Sequence, residues 1–221
     1  MADIFREVDE EVRREQFKKL WDRYSLHIMT VAVLVVVGMG AWRGYEWWEG
    51  KKAAAAGAQF EQAVSLSESG KHQEAEAAFA KVAADAPGGY RVLARLRAAA
   101  ELAQVKPDDA VKAYDAISAD SSDGQTVQDL AALRAGMLLL DKASFADMQH
   151  RLEPLTGANR TFRHSARELL AMSAWRNHDF TAARKYIDEI NLDADSPRGT
   201  RARAQVLAAL IAADSGDSGK S

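Results

Sequence analysis

The stretch Ala75–Pro87 reads AEAAFAKVAADAP, and it sets a small, an aromatic and an apolar residue at Ala75, Phe79 and Val82. At about 100° per residue these positions share one side of a helix, which Pro87 is placed to end because it has no N–H to carry the helix on. The spacing returns 35 residues later as Ala110, Tyr114 and Ile117. A worn copy follows in Gly136, Leu139, Met148, Leu152 and Leu155. The last copy, Phe162 to Ile190, has Ala171, a turn around Asn177–Asp179, then Phe180, Ala183, Ile187 and Ile190. Successive offsets are 35, 38 and 35 residues, too regular for unrelated hairpins.

A period near 34 with this arrangement is similar to the second helix of a tetratricopeptide repeat. The small residue admits the first helix of its pair, and the aromatic fills the gap toward the next. The predicted fold is therefore all-α: a tetratricopeptide-like solenoid of about four helix pairs over residues 53–213. Its final helix, about Arg201–Ala213, clusters Val206, Leu207, Leu210 and Ile211 to cap the stack. Breaks agree with the division: Gly70 within the first pair, Pro87-Gly88-Gly89 after it, Pro107 within the second, and loops at Ser121–Gly124, Thr156–Asn159 and Asp193–Gly199. A flexible tail, 214–221, is expected to follow.

Upstream lies a different kind of sequence. Tyr24–Trp42, YSLHIMTVAVLVVVGMGAW, is 19 residues without Asp, Glu, Lys or Arg. As a helix it spans about 28 Å, close to the hydrocarbon thickness of a bilayer, and Thr30 alone interrupts its apolar surface between Ile28 and Val37. A single transmembrane helix with its aromatic interface is predicted over 24–48. The rings of Trp42, Tyr45, Trp47 and Trp48 have the apolar body and polar edge that favour the headgroup layer. A cleavable signal fits poorly, because residues 1–23 carry seven acids against six bases in place of a short basic segment. Those six Lys and Arg face only Arg43, Lys51 and Lys52 on the other side, which predicts a cytoplasmic N-terminus and export of everything beyond the span. Within the flank, Ile4, Phe5, Val8 and Val12 share one helix side, and Phe17, Leu20, Trp21 and Tyr24 a shifted one. Juxtamembrane amphipathicity explains them, as does a docking strip. Gly40 and Gly44 form a small-xxx-small pair.

Composition narrows the chemistry. A net charge of −3 and the absence of a lysine-rich patch give no footprint for nucleic acid. With no cysteine the chain has no disulfide, thiolate metal site or cysteine nucleophile. His27 lies within the apolar run. His72 and His178 fall at inter-helix turns, and His150 and His164 have no metal-binding spacing. Gly216–Gly219 and Gly219–Ser221 imitate fragments of a serine-nucleophile loop and a phosphate loop, but Asp214 stands where the latter needs glycine. No enzyme, metal or cofactor is expected. Binding is the expected activity, and in this fold the first helix of each pair lines the concave side. Phe60, Arg95, Leu133, Met137, Met172, Trp175 and Arg176 are the candidate protein-binding residues: Met adapts, Trp anchors and Arg pairs with carboxylates. Leu133 and Met172 have a repeat-core reading as well.

In order along the chain, the charged start FREVDEEVRREQFKKLWDRY, the single apolar span, the exit WRGYEWWEGKK and the alanine-rich repeats from AAAAGAQFEQAV resemble the YfgM-like ancillary subunits of the bacterial Sec translocon. The resemblance covers nearly the whole chain. It implies an inner-membrane protein with a periplasmic repeat domain, an adaptor or chaperone-like accessory factor assisting maturation of exported proteins. The implied partners are translocon subunits, a membrane-anchored periplasmic chaperone and the lipid bilayer. A cell-envelope or division scaffold using the same repeat surface is the alternative. The family supplies no catalytic residues to carry over.

Overall fold

In the computed structural model, residues 2–86 and 88–214 are described, with side chains at 18, 21, 23–27 and from 29 onward; the regular elements among them are all helical. Helix α1 runs Ala2–Glu68, followed by α2 (His72–Asp85), α3 (Gly88–Val105), α4 (Pro107–Ser118), α5 (Gln125–Leu139), α6 (Phe145–Leu152), α7 (Arg163–Arg176), α8 (Phe180–Leu192) and α9 (Arg198–Asp214). Contacts divide the chain into two units, Met1–Ala54 and Ala55–Ser221.

In the first unit the apolar run is helical and exposed: Leu34, Val36 and Met39 each show more than 60 % of their surface. An 18-residue window of α1, of mean hydropathy 1.9, has no buried part, so length and composition suffice for this helix to cross a membrane. Composition changes at Gly50 but the helix does not break there. A single interior glycine costs only about 1 kcal/mol relative to alanine, and Ala53–Ala56 just beyond it are strong helix formers. The side chains of Ile4, Phe5, Val8, Val12, Phe17 and Leu20, the stop at Pro87, and the tail with its Gly216–Gly219 and Gly219–Ser221 strings lie outside the described residues.

In the second unit the end of α1 pairs with α2, α3 with α4, α5 with α6 and α7 with α8, while α9 packs on α7 and α8. The buried residues on the second helices are Ala75, Phe79 and Val82 on α2, then Ala110, Tyr114 and Ile117 on α4. Met148 and Leu152 on α6, with Leu155 just after it, and Ala183, Ile187 and Ile190 on α8 continue the series. The repeat register read from the sequence is thus the burial register.

The worn third pair closes tightly at Gly136. A Cβ on Gly136 would stand 3.1 and 3.2 Å from the two methyl carbons of Leu152, so the missing side chain on α5 makes room for Leu152 on α6. Turns follow the same local logic. Gly70 (φ +73°) closes the end of α1, with Lys71 N–H donating to Leu66 O at 3.0 Å. His178 (φ +62°) repeats this after α7, with Asp179 N–H donating to Ala174 O at 2.9 Å. Asp179 then caps α8 by accepting from Ala182 N–H at 2.9 Å, and Ser144 caps α6 from Asp147 N–H at 3.2 Å.

Candidate protein-binding site

Three helices of the second unit present apolar stripes to one another. Leu133, Met137 and Leu140 lie at i, i+4 and i+7 along and just past α5. Ser165, Glu168, Leu169, Met172 and Trp175 follow one side of α7, and Arg203, Val206, Leu207 and Leu210 one side of α9. Because α7 packs against both α5 and α9, the stripes line two hollows of about 390 and 200 Å³. The hollows share Glu168, Met172 and Arg203, so they form one trough along α7. Leu133, Leu169 and Leu207 are buried and make its floor, whereas Met137, Val206 and Leu210 stand 50, 62 and 45 % exposed on its rim.

The charged groups and the indole donor at the trough are already engaged. Arg203 forks onto Glu168, with Nη2 donating to Oε2 at 2.8 Å, and this hydrogen bond raises the pKa of Arg203. The Trp175 indole N–H donates to Asp214 at 2.8 Å, so the ring's apolar faces rather than its donor remain for a partner. An apolar segment fits these walls, since the charged side chains lining the trough neutralise each other.

The seven residues expected at the binding surface do not all converge. Leu133, Met137, Met172 and Trp175 meet at the trough. Phe60 packs into the first pair instead, with ring centroids 5.1 Å from Phe79 and 6.0 Å from Tyr90. Arg95 ties α3 to the turn after α4, donating to Asp120 at 2.7 Å and Asp123 at 2.5 Å. Arg176 donates to the carbonyls of Leu140, at 3.1 Å, and of Asp141, ends of α5 left open by the helix. Both arginines read as carboxylate clamps in the sequence are thus held within the fold.

The trough also uses residues assigned above to capping. Ile211 of α9 is buried against the stack and Leu207 is buried in the trough's floor, but Val206 and Leu210 stand at its rim. A cap needs one apolar face, and Val206-Leu207 with Leu210-Ile211 supply two adjacent ones. That surplus was the available signal.

The other polar clusters bind helix to helix. Ser196 Oγ lies 3.0 Å from His164 Nδ1, and Asp193 is 3.7 Å from that same nitrogen. A serine relay needs base and orienting acid on opposite ring nitrogens, so this trio does not form one. Asp193 is held foremost by a hydrogen bond from Arg163, at 3.1 Å, with further bonds from the Asp195 N–H and Arg167. Its pKa is drawn down to about 2. Against an unfolded value near 3.9, this interaction stabilises the fold fully above about pH 4–5 and is lost as pH falls toward 2. His164 is shifted down chiefly by burial, then by Arg163, so the unfolded chain takes a proton first and a separate loss begins below about pH 6.5. Urea midpoints measured from pH 7 to 2 should fall in both ranges, with Asp193→Asn flattening the lower one and His164→Gln the upper.

A family model described as the tetratricopeptide repeat-like domain matches residues 18–185, about three quarters of the chain. The chain belongs to the tetratricopeptide repeat-like domain family. No curated protein and no solved structure matches it. Arrays of tetratricopeptide-like repeats are interaction modules that as a rule bind proteins and lack catalysis. The tetratricopeptide-like match begins before the apolar run and ends within α8, so it includes the candidate span and stops short of α9, the trough's third wall.

Proposed function

We propose that this chain is a membrane-tethered adaptor whose trough takes up an apolar segment of a protein partner. The observation that carries the reading is the trough itself: five leucines, two methionines, a valine and a tryptophan from three helices around one self-neutralised ion pair. The unburied apolar helix supports a tether, as does its inclusion in the matched family region. Six Lys and Arg before the run against three after it support a cytoplasmic N-terminus and an exported, periplasmic repeat domain. A tether of this kind raises the partner's effective concentration at the membrane. The resemblance along the whole chain favours work at the Sec translocon, with translocon subunits and a membrane-anchored periplasmic chaperone as partners.

Crosslinking in native membranes followed by mass spectrometry tests the partner. Enrichment of translocon subunits together with a periplasmic folding factor is expected; enrichment of division or wall-synthesis proteins without them would favour an envelope scaffold. Topology is accessible because the chain lacks cysteine. A single cysteine at Ala53 should react with a membrane-impermeant maleimide from the periplasmic side, and reaction only after lysis would refute export.

The trough has its own test. Trp175→Ala and Val206→Asp should each reduce crosslinking to the partner at least about tenfold, the scale of losing one anchoring contact. Leu192→Asp, at an 85 % exposed site outside the trough, should leave it unchanged. Helical content read by circular dichroism should be the same in all three variants.

A further inference from the structure

Resting on the membrane-tether reading above, we infer that Trp42–Lys52 forms a collar around α1 that binds the phosphate groups of anionic phospholipids in the leaflet at the C-terminal end of the apolar run. Trp42, Tyr45, Trp47 and Trp48 are 69, 59, 64 and 51 % exposed. At about 100° per residue they lie near 0°, 300°, 140° and 240° around the helix axis, so they surround it. A protein partner docking on one side would need its aromatic anchors on one side. A lipid annulus contacts every side, and this distribution suits it. Trp42 to Trp48 rise by about 9 Å, comparable with the interfacial layer at one face of a bilayer.

The lysines identify the headgroup. Lys51 Nζ lies 4.1 Å from the Trp47 ring centroid and Lys52 Nζ 3.8 Å from that of Trp48. Each reaches back four residues, as helical side chains lean toward the N-terminus, so both ammonium groups are drawn toward the apolar run. An ammonium resting on an indole keeps N–H donors pointing outward, and the indole N–H stands beside it. A phosphate diester supplies acceptor oxygens and negative charge for both. Arg43 lies 3.9 Å from Glu46, so its charge is partly answered within the helix. From residue 43 to 52, three bases against two acids leave the collar positive.

The test uses the full chain with Trp21 and Trp175 changed to Phe, leaving all remaining tryptophans in the collar. It is reconstituted into vesicles of phosphatidylcholine and phosphatidylglycerol with either lipid brominated near the headgroup. Brominated phosphatidylglycerol should quench collar fluorescence in preference to brominated phosphatidylcholine. Lys51→Gln/Lys52→Gln should reduce that preference at least roughly fivefold, the worth of one basic residue at an anionic surface. Total quenching should persist in the variant. Equal quenching by the two lipids, or a preference unaffected by the substitutions, would overturn the headgroup assignment while leaving the tether intact. Loss of the preference in about 20 mM inorganic phosphate would assign the lysines to a free anion instead. No quenching by either lipid would overturn the tether, and the collar with it.

Discussion

Phe79→Ala will destabilise the repeat domain by about 3–5 kcal/mol, seen as a lower urea midpoint in far-ultraviolet circular dichroism with an unchanged slope. The ring is fully buried in a cluster with Ala63, Ala75, Val82 and Ala94 and meets Phe60 edge-on at 5.1 Å. Alanines dominate that wall, and their backbones lie on helices α1, α2 and α3, so none has side-chain length with which to fill the vacated space. The cavity therefore persists and its cost adds to the lost transfer energy. Against the 5–15 kcal/mol usual for a whole domain, one ring between two helix pairs accounts for a large share. A change below about 1 kcal/mol would show that the ring is not packed between the pairs.

Met148→Ala will also destabilise, by about 2–5 kcal/mol in the same measurement, although repeat logic alone points the other way. The equivalent positions are Ala75, Ala110 and Ala183, so alanine looks like the restoration of a regular pattern. Met148 is fully buried within the large cluster of the third and fourth pairs. Its partner helix α5 already has no side chain at Gly136, and Leu152 occupies that space. Removing Met148 as well leaves both sides of the hairpin small. Adding Gly136→Ala will not restore stability, because the new Cβ meets Leu152 at 3.1 Å rather than the space Met148 left. A neutral or stabilising Met148→Ala would show that the core around α6 does not need this side chain.

The pairing of helices was legible because each second helix announces itself locally. Ala75/Phe79/Val82 and Ala110/Tyr114/Ile117 name a face, and Gly70, Pro107 and Asn177–Asp179 mark the turns through backbone conformations that few residues adopt or forbid. At Gly50 composition shifts without a conformational obstacle, and α1 runs on to Glu68. The candidate site was legible in part. Met137 and Trp175 stood out as bulky apolar residues on first helices, whereas Met172 could equally be read as repeat core. Arg95 and Arg176 looked identical in sequence to arginines free for a ligand, because their partners Asp120 and Asp123, and the carbonyls of Leu140 and Asp141, are 25 to 36 residues away along the chain.

Helix type, repeat period and the span-length apolar run follow from the sequence alone, since each depends on neighbours within one or two turns. Which apolar residues are buried in the trough's floor and which stand exposed on its rim was decided only by the tertiary structure. Val206 and Leu207 are adjacent and chemically alike, yet Leu207 is buried and Val206 is 62 % exposed at the rim. The difference is one step of about 100° around α9, and its meaning depends on where α7 lies. Packing brought α5, α7 and α9 together; no local pattern specifies how helices so far apart in the chain share a wall.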